Sequence, residues 1–269
     1  MALHVLITGG SQGAGKATAL KFAAQGWDVT VAARAGDRLN QVADQIQNYG
    51  QKALAVPTDV GKAEQVNALI SQSLDKFGQI DALINNAGIC LTGPMANTSL
   101  EDWRQILDTN LWGCIHTIHA ALPAMLSRGQ GSIVNVGSFG GKMPLPQMTA
   151  YCTSKYALTG LTESLRLELS PQGIHVGIVH PGVINSDFME RAMFRGKNED
   201  EATGRRQQMS KMLGDRWVSQ PEDIAAAVWT MVQKRQAETI VGPAAIATEL
   251  NRLLPQLTQW ALGKATESV

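Results

Sequence analysis

Short apolar runs alternate along this 269-residue chain with longer stretches in which apolar residues recur every three or four positions. The short runs predict buried strands, and the longer stretches predict amphipathic helices. The predicted strands are Leu3–Ile7, Asp28–Ala33, Ala53–Val56, Ala82–Asn85, Ser132–Val136 and His175–Val179, with a weaker one at Thr239–Val241. Because strands that alternate with helices form right-handed βαβ units, the pattern predicts an α/β fold, a doubly wound parallel sheet of about seven strands with helices on both faces.

No internal repeat, low-complexity tract or linker interrupts this alternation, so we expect residues 1–269 to form a single domain. Residues 185–217 depart from the pattern, because they are rich in methionine, arginine, lysine and polar residues. A long insertion near the strand ends predicts a lid over a binding site, with a solvated surface loop as the alternative. Residues 246–262 are apolar at helical spacing. They predict a helical tail that packs on the pocket, on a second subunit or on its own core.

Composition narrows the classes of partner. Apolar residues make up 44% of the chain, and 23 Lys and Arg residues balance 23 Asp and Glu residues. Zero formal net charge provides no electrostatic attraction for nucleic acid or an anionic membrane. No apolar run reaches the roughly 18 residues that a membrane span needs. The first residues, M-A-L-H-V-L-I-T, lack the basic segment of a signal peptide. We therefore expect a cytoplasmic protein with no nucleic-acid partner and no membrane span.

The three cysteines, Cys90, Cys114 and Cys152, are odd in number and form no C-x-x-C motif. This usage predicts free thiols in a reducing compartment and no metal site. Cys90 is expected to be a buried structural thiol, with a place at a pocket rim as the alternative.

A glycine-rich turn, T-G-G-S-Q-G-A-G, follows the first predicted strand directly and opens a helix. Gly9, Gly13 and Gly15 would let the backbone approach a pyrophosphate at the helix N-terminus. The spacing is G-x-x-x-G-x-G, and the strand before it and the helix after it supply the context that such a motif requires. The turn therefore predicts a dinucleotide site, with glycines needed only for packing as the alternative.

The end of the second strand predicts which dinucleotide is bound. An acidic side chain there would accept a hydrogen bond from the ribose 2′-hydroxyl of NAD. This chain instead has Arg34, with Arg38 one turn later and Ser11 nearby in the glycine turn. A guanidinium suits a 2′-phosphate, so the prediction is NADP(H). The alternative is that Arg34 is an ordinary surface arginine.

Tyr151 and Lys155 lie four residues apart in Y-C-T-S-K, which places them on one face of a helix. An ammonium beside a phenol favours the phenolate, so Lys155 is expected to lower the pKa of Tyr151. Such a phenol can act as a general acid or base near neutral pH.

Together these motifs resemble the short-chain dehydrogenase/reductase family. Further matches are Asp59-Val60 after the third strand, Asn85-Asn86-Ala87-Gly88 at the fourth, Asn110 in the next helix, Ser138 after the fifth strand and Pro181-Gly182 after the sixth. The likeness covers residues 3 to about 190, in order and register. It implies a Rossmann fold and an oxidoreductase that uses a nicotinamide cofactor.

The resemblance also implies roles for individual residues. Tyr151 is the acid/base, Ser138 positions the carbonyl oxygen, Lys155 binds the nicotinamide ribose, and Asn110 holds a water of a proton relay. Where the family often has a threonine that contacts the cofactor, Ser186 is the expected substitute. The implied cofactor contacts are Gly9, Ser11, Gly13, Gly15, Arg34, Asp59, Val60, Asn86, Ala87, Gly88, Tyr151, Lys155, Pro181, Gly182, Ile184 and Ser186.

The expected pocket wall is mostly apolar: Ile89, Leu91, Met95, Met143, Leu145, Met148, Ile184, Phe188, Met189, Met193 and Phe194. It predicts an NADPH-dependent reductase of medium or bulky hydrophobic ketones and aldehydes. The alternatives are reduction of 3-oxoacyl groups on acyl-carrier protein or coenzyme A, an NADP(H)-binding regulator without turnover, and an epimerase or dehydratase of nucleotide sugars, whose members are usually longer.

Two helical segments, one after Ser99 and one from Tyr151, are apolar on more than one face. They resemble the family's four-helix subunit interface, so a homodimer or homotetramer is expected. A monomer whose tail covers these faces is the alternative.

Overall fold

The structure, a computed structural model, describes residues 2–184, 188, 191–213 and 218–267. Its strands are β1 (His4–Thr8), β2 (Asp28–Ala33), β3 (Ala53–Pro57), β4 (Ala82–Asn85), β5 (Leu91–Thr92), β6 (Gly131–Val136), β7 (Ile174–Pro181), β8 (Met193–Phe194) and β9 (Glu238–Val241). Its α-helices are α1 (Gly13–Ala24), α2 (Gly36–Gln47), α3 (Ala63–Phe77), α4 (Leu100–Leu107), α5 (Gly113–Arg128), α6 (Thr149–Leu169), α7 (Glu199–Leu213), α8 (Pro221–Lys234), α9 (Ala244–Leu253) and α10 (Pro255–Glu267). A π-helical turn, Asp108–Trp112, joins α4 to α5.

The main sheet has seven parallel strands in the order β3-β2-β1-β4-β6-β7-β9. The direction of winding reverses between β1 and β4, which opens a crevice at the carboxyl ends of these strands. The prediction of a doubly wound parallel sheet is therefore confirmed. The predicted strands Asp28–Ala33 and Ala82–Asn85 match the observed bounds, and β7 extends two residues further than predicted, to Pro181.

The central strands are buried on both faces, which explains their uninterrupted apolar runs. All five residues of β1 and all eight of β7 are buried. In β9, at the edge of the sheet, Glu238 is exposed and the next three residues are only partly buried. Edge exposure explains why the sequence signal of this last strand was weaker.

Two cores lie on opposite faces of the sheet, so the prediction of helices on both faces is confirmed. One core packs α1, α2 and α8 against the sheet around Phe22, Leu39 and Val228. The other packs α3, α5 and α6 around Leu69, Met125 and Leu169. No helix in the described part of the chain combines the length and apolar character needed to cross a bilayer.

A second, two-stranded sheet was not predicted. In it, β5 pairs in parallel with β8, which lies in the stretch 185–217. Arg195 reinforces this connection, because its guanidinium donates two hydrogen bonds, of 2.6 and 3.0 Å, to the carboxylate of Asp102 in α4. The same hydrogen bonds lower the pKa of Asp102 below its usual value. The described part of this stretch is thus attached to the loop that follows β4.

The predicted tail lies in α9 and α10, and its apolar side chains are not packed into the core. Those exposed by 46–73% are Ile246, Leu250, Leu253, Leu254, Leu257 and Trp260. Asn251 attaches α9 to the body by donating a hydrogen bond of 3.4 Å to the carbonyl oxygen of Lys142. Within the described residues, packing of the whole tail on its own core is therefore not observed.

His4 is a buried histidine at the start of β1, far from the crevice. Its Nδ1 lies 2.6 Å from the carbonyl oxygen of Gln79, and its Nε2 lies 2.9 Å from the hydroxyl of Thr30. Because a carbonyl only accepts, Nδ1 carries the proton and Nε2 accepts from Thr30. Burial lowers the pKa of His4 from 6.5 to about 4, against the opposing effects of the Gln79 carbonyl and of Asp81 and Asp28.

We predict that His4 makes the protein less stable as the pH falls from 7 to 4. Since the folded pKa is the lower one, the unfolded chain binds the proton first. The contribution is present above pH 6.5 and is lost as the pH falls through about 4. Its size is on the order of 3 kcal/mol. His4→Asn, which keeps a donor for Gln79, should lower stability at pH 7 but flatten the pH dependence of the unfolding free energy in urea titrations.

His119, whose side chain is exposed, provides the control. His119→Asn should follow the wild-type curve. Parallel curves for wild type and His4→Asn would contradict the prediction.

Candidate active site

A cavity of about 560 Å³ opens at the crevice between the carboxyl ends of β1 and β4. Its size lies in the range of sites for small molecules and cofactors. The glycine turn lines one end, and the stretch from Ser138 to Lys155 lines the other. The cavity therefore joins the predicted nucleotide end and the predicted reaction end in one space.

The glycines of the turn are needed for close packing. A Cβ on Gly15 would lie 2.2 Å from the carbonyl oxygen of Gly9 and 2.4 Å from Nδ2 of Asn86. A Cβ on Gly9 would lie 2.8 Å from the Cα of Ala87, and the φ of Gly9 is +67°. The turn thus packs directly on the end of β4. The backbone of its helix N-terminus faces the cavity, as a pyrophosphate site requires.

Thr8 connects the same two segments, and the sequence reasoning assigned it no role. Its hydroxyl accepts hydrogen bonds of 3.1 Å from the N–H groups of both Asn86 and Ala87. In return, the side chain of Asn86 donates to the carbonyl oxygens of Thr8, at 3.0 Å, and Gly9, at 3.2 Å. The sequence contained one clue to this role, because Thr8 directly precedes the glycine turn. It did not show that Thr8 would contact the residues at the end of β4.

Arg34 and Arg38 lie at the rim of the cavity beyond β2, and both side chains are exposed. Arg38 donates a hydrogen bond to the side-chain oxygen of Gln12 in the glycine turn. Ser11 lines the same end of the cavity. Two guanidinium groups and a hydroxyl therefore surround the place where the adenosine ribose is expected.

Tyr151 and Lys155 lie on the first turns of α6, one turn apart, and both are buried. The Nζ of Lys155 is 5.9 Å from the ring centroid of Tyr151 and donates a hydrogen bond of 2.9 Å to the carbonyl oxygen of Val136. Ser138 follows β6, and its Oγ accepts a hydrogen bond of 3.1 Å from Gly140. The cavity brings the side chains of Ser138, Tyr151 and Lys155 together.

The electrostatics differ from the prediction that Lys155 lowers the pKa of Tyr151. Burial raises the pKa of Tyr151 above its usual value, the thiols of Cys90 and Cys152 raise it further, and a hydrogen bond with Ser138 opposes these effects. Burial also lowers the pKa of Lys155. The net pKa of Tyr151 is therefore raised and not lowered, because desolvation disfavours both charged forms. Tyr151 is therefore a neutral phenol at neutral pH, in the state of a proton donor.

Asn110 lies in the π-helical turn with no exposed surface. Its Oδ1 accepts a hydrogen bond of 2.8 Å from the N–H of Ile89. Its Nδ2 donates to the carbonyl oxygen of Ile89, at 2.9 Å, and to the hydroxyl of Ser154, at 3.0 Å. The side chain thus holds the loop after β4 against α6. The water relay expected of Asn110 stays a prediction.

Beneath the reaction end of the cavity, a series of hydrogen bonds between buried polar side chains links α5 to α6. Thr117 of α5 donates a hydrogen bond of 2.6 Å to Asn85 of β4, and Asn85 donates one of 2.9 Å to Asn135 of β6. Asn135 donates one of 2.8 Å to Thr162 of α6. This series connects the helix that carries Tyr151 to the central strands.

The predicted site residues are placed as follows. Of the implied cofactor contacts, the cavity is lined by Gly9, Ser11, Gly13, Gly15, Arg34, Asp59, Val60, Asn86, Ala87, Gly88, Tyr151, Lys155, Pro181, Gly182 and Ile184. Ser186 lies outside the described residues. Lining residues without a predicted role include Gln12, Thr58, Thr109, Gly137, Pro146 and Val183. Ordinary small and polar residues of this kind carry no motif, so no sequence signal could have found them.

The predicted substrate wall is only partly correct. Ile89, Leu145, Met148, Ile184 and Phe188 line the cavity. The others do not: Leu91, Met143 and Phe194 are buried in the body, Met95 is exposed, and Met193 is paired in β8. Met189 lies outside the described residues. Arg191 lines the cavity, whereas Arg195 is paired with Asp102.

All three cysteines are free and buried. Cys90 combines the two predicted alternatives, because it is 1% exposed and yet contributes to the cavity wall. Burial raises the pKa of Cys90 to about 12 and that of Cys114 to about 11, so both are unreactive thiols at neutral pH. Over the described ranges, no three His, Cys, Asp or Glu side chains are grouped in a way that could hold a metal ion.

Comparisons with known proteins agree with this geometry. The family model for short chain dehydrogenases matches residues 3–195. The ketoacyl reductase HetN of Nostoc sp. is 33% identical over 250 residues, which are 93% of this chain and 82% of HetN. A short chain dehydrogenase/reductase from Burkholderia phymatum, solved in complex with NAD, has a TM-score of 0.86 at 26% identity. The match covers 95% of each of the two chains. A variant of the actinorhodin polyketide ketoreductase, solved with NADPH, has a TM-score of 0.77 at 27% identity, covering 89% of this chain and 95% of that chain.

We predict that Gly15→Ala weakens dinucleotide binding by steric conflict. Its Cβ would meet backbone and the Asn86 amide at under 2.5 Å, so the turn must move off β4. Affinity for nicotinamide dinucleotides should fall on the order of tenfold or more, which is at least about 1.4 kcal/mol. Isothermal titration calorimetry with NADPH and NADH measures it.

Gly160→Ala in α6 is the matched control, because nothing lies within 4 Å of its added Cβ. An alanine in a helix interior should leave binding unchanged and stabilise the fold by up to about 1 kcal/mol. If Gly15→Ala bound the dinucleotides as Gly160→Ala does, the close approach would not matter for binding.

Proposed function

The chain belongs to the short-chain dehydrogenase/reductase family, and from this membership we propose that it is an NADPH-dependent carbonyl reductase of medium or bulky hydrophobic ketones and aldehydes. At the coarser level it is an oxidoreductase of carbonyl and alcohol groups. The observation that carries the proposal is the convergence of Ser138, Tyr151 and Lys155 on one cavity with the glycine turn. Carbonyl reduction requires a proton donor and a site that binds the dinucleotide cofactor.

The residues at the nucleotide end fit a bound dinucleotide, since the glycine turn forms a cradle that a single Cβ would fill. Gly9, Gly13 and Gly15 would hold the pyrophosphate, and Asp59 and Val60 would contact the adenine. Arg34, with Arg38 and Ser11, would bind a 2′-phosphate. One structural neighbour was solved with NAD and another with NADPH. The two arginines at the ribose end are what favours NADP(H) in this chain.

When bound, NADPH supplies the hydride that reduces the carbonyl carbon. Tyr151 donates its proton to the carbonyl oxygen, and Ser138 donates a hydrogen bond to the same oxygen. Ser138 is suited to this, because its Oγ already accepts from Gly140 and keeps its own proton to donate. The raised pKa of Tyr151 keeps the phenol protonated, which is the state that a proton donor requires.

Lys155 would hold the nicotinamide ribose and lie on the route by which Tyr151 regains a proton. Its Nζ is bonded to the Val136 carbonyl, which leaves two of its three N–H groups for other partners. A Cβ on Gly88 would lie 3.7 Å from this Nζ and 3.4 Å from Oδ1 of Asn110. Gly88 therefore lies between the lysine and Asn110, where a relay water is proposed to bind.

The substrate end supports an apolar carbonyl compound. Leu145, Met148 and Phe188 pack around Tyr151 at the cavity wall, and the Phe188 ring lies 6.4 Å from the Tyr151 ring between centroids. Ile184 also lines the cavity. The second candidate is a 3-oxoacyl reductase, favoured by the likeness to the ketoacyl reductase HetN. Such a substrate would place its apolar acyl part on the same wall.

We also infer a cytoplasmic homodimer or homotetramer. Three large side chains on the segment from the π-helical turn through α6 are exposed: Trp112 at 49%, Tyr156 at 44% and Leu167 at 77%. Covering them would remove apolar surface from water, which stabilises an assembly.

The first test is oxidation of NADPH with a panel of carbonyl compounds. The panel contains small aldehydes, aryl ketones, long-chain ketones and 3-oxoacyl thioesters. Tyr151→Phe should lower kcat on the order of 10²- to 10⁴-fold and leave NADPH binding intact, because only the proton donor is lost. Tyr156→Phe, on the exposed side of the same helix, is the control and should keep the wild-type rate. Tight NADPH binding without turnover of any compound would favour the regulator alternative.

We predict that Arg34→Ala shifts the cofactor preference. Loss of a charge-assisted hydrogen bond of about 1.5–3 kcal/mol should lower NADPH affinity roughly ten- to a hundredfold. NADH affinity should stay within about twofold, since NADH has no 2′-phosphate. Arg104→Ala, an exposed arginine of α4 outside the cavity, is the control. A preference of the wild type for NADH would contradict the assignment.

A further inference from the structure

His180 lies at the junction of the two strand ends that frame the reaction end of the cavity. It is fully buried in β7, directly before Pro181 and Gly182, which line the cavity. On the neighbouring strand β6 the chain continues through Gly137 into Ser138. His180 is thus adjacent in sequence to the cofactor side of the site and adjacent in space to its substrate side.

The Nδ1 side of the ring contacts the main chain of Ser138. Nδ1 lies 2.9 Å from the Ser138 carbonyl oxygen, which also accepts a hydrogen bond of 2.8 Å from Gly141. A carbonyl oxygen only accepts, so Nδ1 must carry a proton. These two bonds fix the peptide that follows Ser138 and therefore the direction of the Ser138 side chain.

The Nε2 side of the ring faces a carboxylate. Nε2 lies 3.0 Å from Oε1 of Glu238, the first residue of the edge strand β9. The contact is close, but it lacks the alignment of a hydrogen bond.

The carboxylate of Glu238 also pairs with a lysine. Lys142, which follows the Ser138 segment, places its Nζ 2.8 Å from the same Oε1 of Glu238 and 4.0 Å from Oε1 of Glu163. Contacts with His180 and Lys142 hold the pKa of Glu238 down to about 2, so its negative charge is present at neutral pH.

The ring also has no room to move. A Cβ on Gly137 would lie 2.8 Å from Nδ1 and 3.1 Å from Cε1 of His180, so the imidazole occupies the space that a side chain at residue 137 would take. Gly137 in turn donates a hydrogen bond of 2.7 Å to the carbonyl oxygen of Val179. The strand ends β6 and β7 are thus packed on this ring.

We propose that His180 is a positioning residue, bonded through Nδ1 to the Ser138 carbonyl and facing Glu238 through Nε2, that sets the distance between the substrate-binding Ser138 and the cofactor-binding Pro181–Gly182 segment. It does not touch the substrate. It acts through Ser138, whose hydroxyl it keeps in line with Tyr151. This inference rests on the proposed reductase function, and it adds the group that aligns the two halves of the site.

Two substitutions of similar size separate the two nitrogens. His180→Asn places an amide N–H where Nδ1 was and keeps the bond to Ser138. His180→Gln places its amide at the Nε2 position and leaves the Ser138 carbonyl without this donor. We expect His180→Gln to lower kcat on the order of ten- to a hundredfold with little change in KM for the carbonyl substrate, because misplaced reacting groups cost rate more than binding. His180→Asn should recover most of that loss.

His175→Asn is the matched control, since His175 is a buried histidine of the same strand, bonded to Ser132 and Gln236 at the end remote from the cavity. It should lower the thermal unfolding temperature without lowering kcat. Equal rates for His180→Asn and His180→Gln, or an equal loss of kcat in His175→Asn, would overturn the proposal.

A measurement independent of turnover tests the protonation state. In protein labelled with ¹⁵N-histidine, the His180 ring is identified as the signal that disappears in His180→Asn. Long-range ¹H–¹⁵N spectra at neutral pH should show a proton on Nδ1. A ring protonated on Nε2 alone would overturn the inference. An inactive wild type whose His180 carries this proton on Nδ1 would refute the proposed function and leave the bond between His180 and the Ser138 carbonyl supported.

Discussion

The buried chain of hydrogen bonds from Thr117 through Asn85 and Asn135 to Thr162 is the interaction on which the reaction end depends. It runs from α5 over β4 and β6 to α6 along one face of the sheet, at a depth where water cannot replace a missing partner. Loss of one member would leave a desolvated donor or acceptor, which costs about 1–3 kcal/mol. The chain therefore favours one placement of α6, and α6 carries both Tyr151 and Lys155. The position of Tyr151, the proposed proton donor, is thus set by polar contacts beneath the cavity and not by the cavity itself.

The two ends of the site are held by different physical means. At the nucleotide end the constraint is steric, because Gly9 and Gly15 let the turn touch Asn86 and Ala87 without any side chain between them. At the reaction end the constraint is polar. It consists of the hydrogen bonds of Asn110, the series from Thr117 to Thr162 and the proposed contacts of His180. Steric constraints tolerate no larger residue, whereas polar ones require each partner to be present. The nucleotide end should accordingly change little when the substrate wall around Phe188 is altered.

Burial has a second effect, on the chemistry. Removing Tyr151 and Lys155 from water favours the neutral phenol and disfavours the ammonium. The same burial keeps the thiols of Cys90 and Cys114 protonated. Behind these residues, the partly buried Glu238 and Lys142 form an ion pair of 2.8 Å. The part of the site described here thus separates a neutral reaction centre from a charged support behind it.

The sequence alone determined the features that depend on neighbours along the chain. Apolar runs identified the seven strands of the main sheet, the strand–glycine turn–helix order located the dinucleotide end, and the four-residue spacing placed Tyr151 and Lys155 on one helix face. Only the tertiary structure decided the rest. The pairing of β5 with β8, the contacts of Thr8 with Asn86 and of His180 with Glu238, and the burial of Met143 beside the exposure of Met95 join or separate residues far apart in the chain. The direction of the Tyr151 pKa was decided there too, because desolvation depends on everything packed around a group, and a spacing of four residues contains no information about that surrounding.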